Sequence, residues 1–149
     1  MDLFDKVSED IKTAMKAKDR VRLEALRGIK KEFIEGKTAP GADGTLTDEA
    51  ALKILVRMAK QRHESADIFA AQNRPELARE ELLQAQVIEE YLPKQLTAQE
   101  LEDKLRQIIQ RLGATTAKDM GRVMGTATKE LAGLADGKAV AAKVKELLA

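Results

Sequence analysis

The chain has 149 residues, with 26 Lys plus Arg against 25 Asp plus Glu, one His and no Cys. That length supports one domain or two small ones with a true core, and the residue counts exclude disulfides, thiol chemistry and zinc sites built from the usual ligands. A formal charge of +1 requires any anionic partner to be met by a local patch, and three Phe, one Tyr and no Trp are too few rings for stacking unpaired bases.

Apolar residues recur at the helical period almost throughout, and β-branched alternation is missing, so the expected fold class is all-α. The opening Met1-Asp2-Leu3-Phe4-Asp5-Lys6 lacks the apolar core of a signal peptide, and no run approaches the length of a membrane span. The expectation is a cytoplasmic protein without a membrane partner. A first helix is expected over residues 3–17, with Leu3, Phe4, Val7, Ile11, Ala14 and Met15 on its inner face. Asp19 suits the cap of a second helix reaching about Glu35, with Leu23, Leu26, Phe33 and Ile34 buried and Gly36 ending it. Arg20, Arg27 and Lys31 share one face of this helix beside Glu24 and Glu35, a solvated surface more than an RNA track.

Residues 37–46 concentrate Gly and Pro and read as a loop. Thr47, Asp48 and Glu49 open a long third helix to about Gln72, stopped by Asn73-Arg74-Pro75. On it His63 lines up with Leu52, Leu55, Val56, Ala59, Ala66 and Ala70, which predicts a partly buried, hydrogen-bonded histidine. Pro75 begins a fourth helix through Leu83, Val87, Ile88 and Tyr91. Tyr91 is expected to anchor Pro93 against it, and Pro93 marks the division between an N-terminal domain, residues 1–93, and a small C-terminal one, residues 94–149.

Past the division, Thr97-Ala98-Gln99-Glu100 is a capping box for a helix to Leu112, closed by Gly113. Thr116 through Asp119 is a weaker box before a glycine-containing helix over residues 116–132. Gly133 ends that helix, and Asp136 caps a last one carrying Val140, Val144, Leu147 and Leu148. Four helices are thus expected before Pro93 and three after it. Met15, Met58, Met120 and Met124 read as core fillers.

The glycine-containing helix has two faces. Met120, Val123, Met124, Ala127 and Leu131 form a core stripe, while Lys118, Gly121, Arg122, Gly125 and Lys129 gather opposite. Each interior glycine costs a helix roughly 1 kcal/mol relative to alanine, so the pair asks for a reason. One reason is close approach of a nucleic-acid phosphate strand. The other is that the last helix packs over Gly121 and Gly125 while Lys118 and Arg122 solvate the edges.

Two strings, Glu90-Tyr91-Leu92-Pro93-Lys94-Gln95-Leu96 and Lys118-Asp119-Met120-Gly121-Arg122-Val123-Met124-Gly125, together resemble the GatB/YqeY family, specifically its stand-alone YqeY-like members. Residues 10–19 and Leu23 to Leu26-Arg27 fit the same pattern, so the resemblance covers nearly the whole chain, with a loop at Ala39 to Gly44 longer than usual. The resemblance implies an all-helical architecture related to the C-terminal region of GatB, a component of the tRNA-dependent amidotransferase, whose corresponding tail contacts tRNA. The catalytic parts of that enzyme lie elsewhere.

The expected function is therefore a non-catalytic tRNA-binding accessory module. Lys118, Gly121, Arg122, Gly125 and Lys129 are its RNA-binding residues, with no catalytic residue, metal or cofactor. The alternatives are a protein-interaction adaptor docking on an amidotransferase or synthetase, or a carbon-nitrogen ligase using glutamine as amide donor. The last follows from the resemblance alone. Its chemistry needs a partnered serine nucleophile and a phosphate-cradling loop, whereas the only serines, Ser8 and Ser65, fall on expected helices.

Overall fold

The computed structural model describes residues 2–149; Met1 lies outside it. Among the described residues there are seven α-helices, one short 3-10 turn and no strand: α1 (Leu3–Ala17), α2 (Arg20–Thr38), α3 (Asp48–Ala71), α4 (Pro75–Glu89), α5 (Ala98–Leu112), the 3-10 turn Ala117–Asp119, α6 (Met120–Glu130) and α7 (Gly137–Leu148). The chain gathers into two compact units that divide after Pro93.

In the first unit α1, α2 and α3 each begin on a residue that satisfies free N–H groups. Asp2 accepts from Asp5 N at 2.8 Å, Asp19 from Arg22 N at 3.1 Å and Thr47 from Ala50 N at 3.1 Å. The Asp48 carboxylate also accepts from Leu3 N at 3.0 Å, which ties the start of α1 to the start of α3. α3 packs against α4 and α1 against α2, with α2 reaching both α3 and α4. Val7, Leu26, Ile29, Phe33, Leu55 and Ile88 are fully buried between them.

Several expectations for this unit change. Gly36 does not end α2, which continues to Thr38; a Cβ at Gly36 would lie 3.0 Å from Leu46 Cδ1 and 3.1 Å from Ile54 Cδ1. The glycine is there because two side chains press against the helix. Met15 and Ile34 are surface residues, 53% and 45% exposed. Ile34 follows Phe33, and a helix places consecutive residues about 100° apart, so burying Phe33 turns Ile34 outward. α4 also ends at Glu89, leaving Tyr91 in the turn beyond it.

The second unit opens on the capping box, with Thr97 Oγ1 accepting from Glu100 N at 3.1 Å and Glu100 accepting from Thr97 N at 3.0 Å. Gly113 ends α5 in the left-handed region, φ +66°. Leu105, Ile108, Val123, Ala127, Val144 and Leu148 form the core on which α5, α6 and α7 converge. The single helix expected over residues 116–132 is instead a 3-10 turn followed by α6. Asp119 is the reason: its carboxylate accepts from Thr115 N at 2.9 Å and Thr116 N at 3.2 Å, which tightens the entry. Leu131 lies past the end of α6 but remains buried.

Candidate nucleic-acid interface

α6 separates its two faces cleanly. Val123 and Ala127 are fully buried and Met120 and Met124 partly so, while Gly121, Arg122, Gly125 and Lys129 are exposed. A Cβ built at Gly121 or Gly125 would meet nothing within 4 Å. The expectation that the last helix packs over these glycines is therefore overturned: α7 meets α6 on the core side and leaves the glycine strip bare.

An open hollow of about 370 Å³ follows this strip, lined by Gly121, Arg122, Gly125, Thr126, Lys129 and Glu130. Four of the five residues singled out from the sequence thus border one depression. The fifth, Lys118, is exposed in the 3-10 turn just before α6 and does not line the hollow. Thr126 and Glu130 complete the lining; neither carried a charge pattern or spacing that distinguished it in the sequence.

The charges around the hollow are only partly cancelled. Arg122 Nη2 donates to Asp119 Oδ1 at 3.2 Å. Backbone N–H donors from Thr115 and Thr116 hold the Asp119 carboxyl below its ordinary value, with Arg122 adding to the effect. Glu130 is bound by Arg111 from α5. Lys118 and Lys129 make no ion pair among the described residues. The arrangement offers cations and exposed backbone to an anion.

The other motif string, residues 90–96, is occupied by structural bonds. Glu90 pairs with Arg22 on α2, raising the guanidinium pKa, and the Tyr91 hydroxyl donates to Asp10 on α1. Asp10 also takes Lys6 Nζ at 3.0 Å. Burial alone would raise the Asp10 pKa, but the hydrogen bonds from Tyr91 and Lys6 outweigh it and hold the carboxyl low; burial and Asp10 together push the Tyr91 phenol up. In the second unit, Gln95 Nε2 donates to Gly133 O at 2.7 Å and Leu96 N to Leu134 O at 2.9 Å, holding the loop between α6 and α7. Nothing in the sequence pointed to Asp10 or Arg22 as partners, because Asp10 lies 81 positions from Tyr91 and Arg22 lies 68 from Glu90.

His63 is hydrogen-bonded, with Nε2 2.7 Å from Glu89 Oε1, but it is exposed and not partly buried. The long α3 buries Leu55, Val56, Met58, Ala59 and Ala66, a stripe that passes beside His63. Among the described residues no group of three His, Asp or Glu has metal-binding geometry, and no helix is long and apolar enough to cross a membrane.

Two proteins called altered inheritance of mitochondria protein 41, mitochondrial, are similar to the chain. The one from Meyerozyma guilliermondii is 40% identical over 105 residues, 68% of this chain and 53% of the relative. The one from Clavispora lusitaniae is 29% identical over 117 residues, 77% of this chain and 67% of the relative. The match therefore spans about half the length of the first and two thirds of the second. A family model described as Yqey-like protein matches residues 4–148. With both motif strings inside that span and helices throughout, the chain belongs to the YqeY-like family.

Proposed function

We propose that this chain is a non-catalytic tRNA-binding accessory module related to the GatB component of the tRNA-dependent amidotransferase, acting in the cytoplasm. The observation that carries the reading is the uncovered Gly121 and Gly125 beside Arg122 and Lys129. Bare helix backbone lets a rigid strand come close, and cations at its edges favour phosphates. Contacts of this type read shape and backbone instead of base edges. Their small number makes binding modest and dependent on salt.

The test is tRNA binding by the wild type and by Lys118→Glu with Arg122→Glu at two salt concentrations. The double variant is expected to bind at least about tenfold more weakly at low salt, with a flatter salt dependence. Unchanged affinity overturns the reading.

A second reading is a protein-interaction adaptor for an amidotransferase or synthetase. The same glycine pair favours it, since two glycines four residues apart also admit a closely crossing helix. Recovery of such a protein after nuclease treatment, from a chain that binds no tRNA, supports this second reading over the first.

A further inference from the structure

The outward face of α2 carries a second set of uncommitted cations. This helix has more basic side chains than acidic ones. Arg22 is bound to Glu90, and Glu32 is held by Arg57 at 2.6 Å. Lys37 and Lys30 lie over the Phe4 ring, 3.7 and 5.9 Å from its centroid. Arg20, Arg27 and Lys31 remain; all three are exposed and make no ion pair among the described residues.

Helical geometry puts these three within about 40° of one another, stepping roughly 10 and then 6 Å along the axis. They sit opposite the buried Ala25, Leu26, Ile29 and Phe33. Arg27 and Lys31, with Lys30, Ile34 and Glu35, line an open depression of about 420 Å³, in which Ile34 is 45% exposed. Glu35 is the one carboxylate in that lining. Glu24, the other acidic neighbour, lies on the same face within about 60° of all three but makes no ion pair with them among the described residues; it also borders a hollow with Arg62, Glu80 and Glu81.

We infer that Arg20, Arg27 and Lys31 form a second contact strip for RNA backbone, on the first unit. Guanidinium groups take phosphate oxygens bidentately, and the exposed Ile34 gives a ribose an apolar surface. A nucleic-acid strand repeats its charge every few ångström, so three cations at uneven spacing all find a phosphate. An acidic protein surface would have to match that spacing with particular carboxylates. The choice of RNA as the polyanion rests on the reading given for α6; the grouping of the cations does not.

The experiment measures binding of labelled bulk tRNA to the full chain at two salt concentrations. It compares the wild type, Arg20→Gln with Arg27→Gln and Lys31→Gln, and Lys118→Glu with Arg122→Glu. The α2 triple variant is expected to lose at least about tenfold in affinity at low salt. The slope of log affinity against log salt should fall by about 2 to 3, since each of the three phosphate contacts contributes roughly 0.7–0.9. Its thermal unfolding should match the wild type, because the altered side chains make no ion pair within the fold. Arg20→Lys with Arg27→Lys, which keeps the charge but gives up the bidentate geometry, should bind more weakly than the wild type and more tightly than the triple variant. If the triple variant binds like the wild type while the α6 variant weakens, the strip is overturned and the α6 reading stands. If only the triple variant weakens, the α6 reading falls and the strip stands. No tRNA binding by the wild type overturns both.

Discussion

Gly36 on α2 and Gly125 on α6 are both glycines inside helices, yet their surroundings are opposite. At Gly36 the methyl groups of Leu46 and Ile54 occupy the space a side chain would need, whereas at Gly125 that space is open. The same contrast runs through the polar groups. Around the end of α4 in the first unit, Glu90, Tyr91, Asp10 and Arg22 are committed to one another; around α6, Lys118 and Lys129 make no ion pair among the described residues. A glycine pressed by neighbours is explained by packing, and a glycine facing nothing within its own unit is left for something outside the chain to explain.

That contrast breaks first at Gly36. Gly36→Leu should overpack the site and cost about 2 kcal/mol of stability in urea unfolding; a neutral result would mean that Leu46 and Ile54 yield freely and that the glycine is not a packing device. Tyr91→Phe should cost about 1.5 kcal/mol, the order expected for a hydrogen bond to an ionised group.

Tyr91→Phe also has a signature in pH. Asp10 is held below its ordinary value of 3.8, so its contribution is complete above that value and disappears as pH falls through the lower folded pKa. Tyr91 is pushed above its ordinary value of 10.0, so its contribution is complete below that value and disappears as pH rises through the higher folded one. Stability measured from strongly acid to strongly alkaline pH should therefore decline less steeply at both ends in the variant than in the wild type. An unchanged acid limb would show that the Tyr91 to Asp10 bond does not lower Asp10, and an unchanged alkaline limb that burial and Asp10 do not raise Tyr91.

The smallest expected effect is the sharpest test of the open face. Gly125→Ala meets no atom within 4 Å and removes the entropic cost of a helical glycine, so it should stabilise the second unit by about 1 kcal/mol. If the strip serves RNA, the same variant should bind tRNA more weakly while melting higher. A gain in stability with full binding would leave the glycine unexplained by contact with RNA.

Much of the fold was legible from local signals. Asp19, Thr97 and Asp136 each cap the helix they were expected to cap, and Thr47 opens α3 where a helix start was expected, because capping depends on residues about three positions apart. The two-faced character of α6 was legible for the same reason, through Val123 and Ala127 on one side and Arg122 and Lys129 on the other. The failures were where neighbours decide. Gly36 looked like a terminator, Ile34 and Met15 like core, and His63 like a partly buried residue, and each depended on which elements came to lie beside it.

The string from Glu90 to Leu96 shows both kinds of information at once. Its sequence identified a family resemblance and, through Pro93, a break in helical conformation, since proline restricts its own backbone and that of the residue before it. The amino-acid sequence by itself thus determined helix starts, helical faces and the all-α class, which follow from interactions within a few residues. Only the tertiary structure decided that Tyr91 meets Asp10, that Glu90 meets Arg22, and that a Cβ at Gly121 or Gly125 would meet nothing within 4 Å. Those outcomes depend on which helices pack together, and packing is settled by the burial of whole apolar faces and not by the spacing of any one motif.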